Sequence, residues 1–307
     1  EEYRSTVCRW MKEQHQWDVT PESICCTSGV VSALYLLVAA LTQEKDGVIL
    51  MPPVYYPFYS AVTAQGREVK KCPLLYENGA YSINFELLEQ VAAESSSKLL
   101  IFCSPHNPVG RVWKKEELRN VWEICKKHRV RIISDEIHFD IILPGHTHTV
   151  FQNAVDCKEE VIVCTAPSKT FNLAAMQTSN IIIPLEEDRK KLQAVRDRIA
   201  YHDPNALGLE ACRLAYTLGK PWMEEMREAV SGNYRFAVEF LKKHLPEIKP
   251  IELQGTYLLW LDCTALGKTK EELESFMVNN AQLFLDEGYL FGEEGSGFER
   301  VNLACPQ

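Results

Sequence analysis

The sequence lacks the features that mark several special classes of protein. Its eleven cysteines include no CxxC pair, which indicates neither a disulfide framework nor a zinc ribbon and favours a reducing, cytoplasmic compartment. Its formal net charge of -9 argues against nucleic acid or an anionic membrane as the main partner. The longest apolar stretch, VVSALYLLVAAL at 30–41, is interrupted by Ser32 and is too short to span a bilayer.

The chain has the size of an ordinary globular protein. At 307 residues it exceeds the usual size of a single core, which predicts one large domain and a smaller one. No secretory signal precedes the first helical pattern, YRSTVCRWMKEQH at 3–15, and the chain opens on Glu1. We therefore expect a fragment whose N-terminal segment is absent.

Short apolar, β-branched runs alternate with helical patterns along the first two thirds of the chain. The runs are SICC (23–26), VIL (48–50), LLIFC (99–103), RIIS (131–134), VIVC (161–164) and NIII (180–183). This alternation predicts an α/β fold, in which a mostly parallel sheet has helices on both faces. From about Pro204 the pattern changes to long helices followed by TYLLWLDC (256–263) and ERVNLAC (299–305), which predicts a smaller α+β domain. The expected ranges are 1–203 for the large domain, 204–240 for connecting helices and 241–307 for the small C-terminal domain.

Ligands of open α/β sheets bind outside the carboxyl ends of the strands, so the residues directly after each run form the candidate site. After SICC, Gly29 and Val30 begin a helix and present free backbone N–H groups, a seat for phosphate; a plain helix cap is the alternative. After VIL, Tyr55 offers a flat ring that would stack on a ligand or pack into the core. After LLIFC, two X-Pro bonds and Gly110 fix a tight loop that presents the Asn107 amide, unless the loop is only a turn.

The next two strand ends carry groups of opposite charge. Asp135, after RIIS, either caps a following helix or holds a protonated ring nitrogen. Lys169, after VIVC, stands among hydroxyls and small side chains in TAPSKTFNLAAM (165–176); lysines are rarely buried without a purpose, and a surface loop is the alternative. A phosphate seat, an aromatic ring, an amide, a carboxylate and a lysine together describe a site for a phosphorylated, protonated aromatic aldehyde. That description fits pyridoxal 5'-phosphate (PLP).

Six motifs resemble, in the same order, those of the fold-type I PLP enzymes, specifically the class-II aminotransferase-like branch with the MalY- and PatB-type cystathionine β-lyases (C-S lyases). The motifs are SGVV (28–31), PPVYYPF (52–58), CSPHNPVGR (103–111), SDEIH (134–138), APSKTFNLA (166–174) and ERVNLACP (299–306). The resemblance covers essentially the whole chain and implies a seven-stranded type of sheet and a homodimer whose site lies near the subunit interface. The stretch HDPNALG (202–208) resembles a loop that crosses that interface.

The resemblance implies a role for each residue expected at the cofactor ring. Lys169 would bind the cofactor aldehyde covalently, and Asp135 would pair with the pyridinium nitrogen. Tyr55 would stack on the ring, and Asn107 would bind the ring's 3'-oxygen and contact the substrate. His138 stands where a tyrosine commonly donates to the same oxygen, so its role departs from the wider aminotransferase pattern.

The resemblance also assigns the phosphate and the substrate carboxylate. The backbone at Gly29 and Val30 and the hydroxyl of Ser168 would hold the phosphate. Gln177 stands where an arginine commonly binds it, a second departure from the wider pattern. Arg300 would bind the carboxylate of a small amino-acid substrate as a bidentate fork.

The activity that the resemblance implies is α,β-elimination of cystathionine or related cysteine derivatives to pyruvate, ammonia and a thiol, which is homocysteine from cystathionine. Transamination is the runner-up, because both reactions begin with loss of the same Cα proton. A PLP-binding regulatory protein without turnover is a third alternative, since fold alone does not fix function. A metal enzyme is the last: His146 and His148 in PGHTHTVF (144–151) have no acidic or cysteine third ligand nearby, which indicates a solvated loop and no metal.

Overall fold

The computed structural model describes residues 1–202 and 204–306. The strands are β1 Ile24–Thr27, β2 Gly47–Leu50, β3 Glu68–Lys71, β4 Leu75–Glu77, β5 Ala80–Ser82, β6 Ser97–Cys103, β7 Arg131–Asp135, β8 Val161–Thr165, β9 Ser179–Ile182, β10 Lys249–Pro250, β11 Leu258–Asp262, β12 Asp286–Glu287 and β13 Phe298–Asn302. The helices are α1 Glu2–His15, α2 Val30–Leu41, α3 Pro57–Thr63, α4 Phe85–Ala93, α5 Lys115–His128, α6 Phe151–Ala154, α7 Pro167–Thr170, α8 Glu186–Arg198, α9 Ala206–Leu218, α10 Lys220–His244 and α11 Lys270–Ser275. Asp203, at the predicted end of the large domain, and Gln307 lie outside the described residues.

Seven strands form the main sheet, in the order β1-β9-β8-β7-β6-β2-β3. Neighbouring strands from β3 to β8 run parallel, whereas β9 is antiparallel to both β8 and β1. All five residues of β8 are buried, which is typical of a strand covered by helices on both faces. The predicted α/β fold with a mostly parallel seven-stranded sheet is confirmed. The edge strand β3 (EVKK) was missed because its residues are mostly charged, as edge strands often are.

Two hydrophobic cores cover the two faces of this sheet. On one face, α2, α3 and α8 pack around residues such as Leu34, Phe58 and Leu192. On the other face, α1, α4, α5 and α9 surround Trp10, Trp113 and other large side chains. Within the ranges that the structure describes, no helix combines the length and the apolar character needed to cross a membrane.

The sequence of α5 shows why a helix forms on this face. Its buried residues follow one helical stripe, three and four positions apart, at Leu118, Val121, Trp122 and Cys125. The first turn carries two glutamates and the last turn carries two lysines and a histidine, which complement the helix dipole. The helix ends at His128, and the next residue, Arg129, has a φ of 60° that turns the chain towards β7.

The second sheet, in the order β10-β11-β13-β12, is antiparallel and packs against α10 and α11 around a core of its own. Backbone hydrogen bonds tie this part to the large sheet. The N–H of Gln254 donates to the Gly110 carbonyl at 3.0 Å, and the N–H of Thr256 donates to the Ile141 carbonyl at 2.8 Å. These bonds hold the smaller sheet beside the loops that follow β6 and β7.

Two alternatives from the sequence are wrong in the segment after β7. No helix begins at Asp135, so this residue is not a helix cap; the chain turns, and α6 starts only at Phe151. The loop that carries His146 and His148 is not wholly solvated, because the His148 side chain is buried and its Nε2 lies 2.7 Å from Oε2 of Glu136. Across residues 1–202 and 204–306, no three His, Cys, Asp or Glu side chains are grouped as ligands for a metal ion.

Candidate active site

A cavity of 420 Å³ lies at the carboxyl ends of β6, β7 and β8, between the start of α2 and the smaller sheet. Every residue predicted for the site lines it: Gly29, Val30, Tyr55, Asn107, Asp135, His138, Ser168, Lys169 and Arg300, together with Gln177. The sheet register explains why they meet, because Asp135 lies opposite Cys103 on β6 and Cys164 on β8, so the segments after these strands start at one level. The volume lies in the range of small-molecule pockets.

Lys169 lies on α7, a single turn that begins at Pro167 just after β8. Its neighbour Thr170 is fully buried, whereas Lys169 is half-buried and lines the cavity. Burial lowers the pKa of the Lys169 amine; the Asp135 carboxylate opposes this shift and the Arg300 guanidinium adds to it. A larger share of the amine is therefore neutral at neutral pH, and the neutral form is the one that acts as nucleophile and base.

Asp135 ends β7 and is only 4% exposed. One of its carboxylate oxygens, Oδ1, accepts a hydrogen bond from the backbone N–H of Ile137 at 3.1 Å. Burial raises the pKa of the Asp135 carboxyl to about 7, although this hydrogen bond and the Lys169 ammonium act in the opposite direction. A cationic N–H donor placed against Asp135 in the cavity would stabilise the ionised form of this carboxyl.

The loop after β6 holds the Asn107 side chain in one orientation. The backbone N–H of Asn107 donates to Sγ of Cys103 at 3.4 Å, and its Oδ1 accepts from Nη1 of Arg300 at 2.8 Å. Since arginine only donates, the amide oxygen is engaged and the amide NH₂ is the group left to donate into the cavity.

Arg300 lies on β13 directly opposite Asp286 on β12. Its Nε and Nη2 both donate to Oδ2 of Asp286, at 3.2 Å and 2.6 Å, and its guanidinium carbon lies 4.6 Å from the centre of the Phe291 ring. Since Nη1 also donates to Asn107, three of the five guanidinium N–H groups are engaged, and one on Nη1 and one on Nη2 remain. Asp286 was not predicted, because its contact with Arg300 follows from a strand of two residues with no pattern of its own.

The start of α2 presents open backbone donors to the cavity. Gly29 has a φ of 120°, a conformation that residues with a side chain rarely adopt, and a Cβ atom added there would meet nothing within 4 Å. The first hydrogen bond of the helix runs from the N–H of Ala33 to the Gly29 carbonyl at 3.1 Å. The N–H groups of Val30, Val31 and Ser32 precede this bond and are the donors that bind anions at a helix start.

Tyr201 lies beside this helix start and was missed by sequence reasoning. Its hydroxyl accepts from the backbone N–H of Ser28 and lies 2.6 Å from both that nitrogen and Oγ of Ser28. No signal in the sequence points to Tyr201, because it follows α8 and does not follow a strand. Gln177 also borders the cavity, but its Nε2 donates to the Ala174 carbonyl at 3.4 Å and the residue carries no charge.

His138 and Tyr55 are both neutral groups at physiological pH. Burial lowers the pKa of His138 to about 3, and the nearby Lys169 and Arg300 cations lower it further. Nδ1 of His138 is buried without a hydrogen-bond partner among the residues that the structure describes. Burial raises the pKa of Tyr55 to about 12, and its ring packs edge-on against Phe58 with 5.9 Å between ring centres.

The fold and the site together define a class of protein. A seven-stranded mixed sheet, with a lysine on the return from β8 to β9 and an aspartate at the end of β7, is the type I fold of the PLP-dependent transferases. The family model described as aminotransferase class I and II matches residues 1–307. The chain belongs to this family.

Similar proteins place the chain more narrowly within the family. It is 42% identical to cystathionine β-lyase PatB of Bacillus subtilis over 303 residues. These residues cover 98% of this chain and 78% of PatB. The crystal structure of cystalysin from Treponema denticola, which contains PLP, has a TM-score of 0.97 and 45% identity over 99% of this chain and 78% of that chain. The PLP-bound C-S lyase of Staphylococcus hominis has a TM-score of 0.93 and 30% identity over 99% of this chain and 78% of that chain. The predicted branch of the family is confirmed.

Proposed function

We propose that the chain is a PLP-dependent C-S β-lyase that acts on cystathionine and similar cysteine derivatives. The observation that carries the proposal is the meeting of Lys169, Asp135, Asn107 and Arg300 at one cavity. The names of the similar proteins, a cystathionine β-lyase and a PLP-bound C-S lyase, support the same activity.

The residues of the cavity fit the PLP ring. Asp135 is a buried carboxyl with a pKa raised to about 7, and a protonated ring nitrogen against it would supply the opposite charge that it lacks. The Asn107 NH₂ would donate to the ring oxygen, and the Tyr55 ring would cover one face. Lys169 would bind the aldehyde. When bound, PLP supplies an electron sink for the charge that develops at the substrate Cα.

The phosphate of PLP would lie at the start of α2. The backbone N–H groups that precede the first helical hydrogen bond, at Val30 and the next two residues, would donate to it. The hydroxyl of Ser168 would add a donor from the opposite side of the cavity. Because Gln177 is uncharged, phosphate binding would depend on backbone N–H groups and hydroxyls rather than on an ion pair.

The residues of this chain would then move one proton and orient one carboxylate. Arg300 would hold the substrate carboxylate, and Nζ of Lys169 would take the Cα proton, for which its lowered pKa suits it. As the Cβ–S bond breaks, the Lys169 ammonium would return a proton to the departing sulfur. One cystathionine and one water thus yield one homocysteine, one pyruvate and one ammonia.

Incubation of the protein and PLP with cystathionine tests the proposal. We expect pyruvate and a free thiol without any added keto acid, and no product from Lys169→Ala. Lys191→Ala, at an exposed lysine of α8, is the matched control and should keep full activity. A strict need for a keto acid would identify a transaminase, and visible absorption of bound PLP that no amino acid perturbs would identify a binding protein without turnover.

We also propose that the protein is a homodimer with its site near the subunit interface. Leu207 and Leu218 on α9 are 78% and 70% exposed, and Met176, next to a cavity residue, is exposed as well. Large exposed apolar side chains are typical of a surface that a partner covers. In the stretch expected to cross the interface, Asp203 lies outside the described residues. Sedimentation equilibrium should show a dimer that Leu218→Glu weakens, and a monomeric unmodified protein would contradict this.

We infer a cytoplasmic location, since a reducing compartment preserves buried thiols such as those of Cys72, Cys125 and Cys263. We likewise propose the division into a large domain (1–203), connecting helices (204–240) and a small domain (241–307). Limited proteolysis would test the division, because cleavage is expected first at exposed connections between domains.

A further inference from the structure

Asp140 lies five residues after Asp135, outside the active-site cavity, and joins separate parts of the fold. Its side chain is buried, at 3% exposure. Oδ1 of Asp140 accepts from Nε1 of Trp10 at 3.3 Å and lies 2.7 Å from Nε2 of His15, and both partners belong to α1. Oδ2 accepts from the hydroxyl of Thr170 at 2.8 Å. Both oxygens of this one carboxylate are therefore engaged.

The turn that carries Lys169 has little stability of its own. α7 has four residues, and so short a helix is not stable without tertiary contacts. Backbone bonds close it locally, from the N–H of Phe171 to the Pro167 carbonyl at 2.9 Å and from the N–H of Leu173 to the Ser168 carbonyl at 3.0 Å, and between them the chain turns at Asn172 with a φ of 53°. Among the residues that the structure describes, the bond from Thr170 to Asp140 is the side-chain hydrogen bond that joins this turn to the rest of the fold.

The support for Asp140 comes from α1 and not from the cavity. The Trp10 ring packs edge-on against Phe171, with 5.6 Å between ring centres, and it also donates to Asp140. The His15 ring stacks on Phe139 with 4.1 Å between ring centres, directly before Asp140. The carboxylate is thus held by residues of α1 that do not line the cavity.

We propose that Asp140 is a positioning residue for Lys169. It connects the turn that carries the reactive amine to the short segment that carries Asp135, so the two groups keep a constant relative position. Such support matters because reactive groups must be held within a fraction of an ångström of the productive geometry. The inference rests on the proposed function of Lys169 as the residue that binds PLP.

Two substitutions at Thr170 and one control test this inference. Thr170→Val removes the hydroxyl at nearly the same volume and leaves Oδ2 of Asp140 without its donor, whereas Thr170→Ser retains the hydroxyl. Thr42→Val is the matched control: it removes a buried hydroxyl that contacts Val38 and Arg67, away from the cavity.

The measurement is the rate at which visible absorption of bound PLP develops after mixing PLP with the cofactor-free protein, together with the pH midpoint of that absorption. Loss of one hydrogen bond that orients Lys169 should slow this rate about tenfold in Thr170→Val. The pH midpoint should move in the same variant. Thr170→Ser and Thr42→Val should both remain close to the unmodified protein.

Two outcomes would overturn the inference. In the first, the rate and the pH midpoint of Thr170→Val equal those of the unmodified protein. In the second, Thr170→Val and Thr42→Val change both quantities equally, which would indicate a general loss of stability. Thr170→Ala supplies the same comparison if the valine variant does not fold. An unmodified protein without the absorption, or Lys169→Ala that keeps it, would instead contradict the proposed function itself.

Discussion

Nη1 of Arg300 donates a hydrogen bond of 2.8 Å to the side-chain oxygen of Asn107, 193 positions earlier in the chain. The bond links β13 of the smaller sheet to the loop after β6 of the larger one. Each group limits the orientation of the other: the arginine is turned towards the cavity, and the amide presents its NH₂. The group expected to bind substrate and the group expected to bind the cofactor ring are thus in direct contact.

Arg300→Lys should weaken substrate binding more than turnover. A lysine ammonium cannot form the planar two-pronged contact with a carboxylate, and it does not reproduce the fixed geometry in which the guanidinium donates to Asn107 and Asp286 together. We expect KM for cystathionine to rise at least about tenfold with a smaller change in kcat, while PLP remains bound. Steady-state kinetics measures both, with Arg235→Lys, at an exposed position of α10, as the control. A KM equal to that of the unmodified protein would argue against this role.

Asp135→Asn should make the cofactor-free protein more stable at high pH. The folded chain keeps the Asp135 proton up to a pKa of about 7, whereas an unfolded aspartate releases it near about 4. The folded state therefore binds the extra proton between these values, and the free energy of unfolding falls as pH rises through this window. Urea unfolding should show little difference between variant and unmodified protein at pH 4.5, but at least about 1 kcal/mol more stability for the variant at pH 8.

The same substitution should weaken PLP binding, because the amide cannot supply the negative charge for a protonated ring nitrogen. Asp197→Asn, at an exposed position of α8, is the control and should change neither stability nor affinity. If Asp135→Asn gained stability and still bound PLP with full affinity, the carboxylate would have no role at the ring.

Tyr201→Phe should weaken binding of the PLP phosphate and leave binding of the rest of the cofactor unchanged. The substitution removes the hydroxyl that contacts Ser28 beside the open donors of α2. We expect affinity for PLP to fall about tenfold and affinity for pyridoxal, which has no phosphate, to stay constant. Equilibrium titration with both compounds measures this, with Tyr289→Phe, whose hydroxyl donates to Glu274 away from the cavity, as the control. Equal losses for both compounds would show that Tyr201 does not act on the phosphate.

His138 should remain neutral throughout the pH range in which the protein is active. Burial and two neighbouring cations lower its pKa to about 3. Nitrogen NMR of the imidazole should accordingly show no titration between pH 5 and pH 9. A His138 signal that titrates near its ordinary pKa of about 6.5 would contradict this assignment.

The site residues that follow strands could be predicted, because parallel strands end at one edge of a sheet and a polar residue after each apolar run is therefore brought to that edge. Lys169 and Asp135 belong to this group. Asp286 and Tyr201 do not, because neither follows a strand of the large sheet. Asp286 contacts Arg300 through the pairing of β12 with β13, and Tyr201, in the connection between α8 and α9, contacts Ser28. The burial of His148 also depends on a distant partner, Glu136, and local sequence does not encode such long-range contacts.

β9 runs antiparallel to β8, so the segment between them, 166–178, leaves the sheet at the carboxyl end of β8 and re-enters it at the same end of the sheet. A parallel strand in this place would have required a crossover connection back to the other end of the strands. The segment with Lys169 is therefore one local connection, and exchanging it with that of a relative would alter no other strand connection. Such an exchange should succeed where the recipient retains an acidic side chain at the position of Asp140.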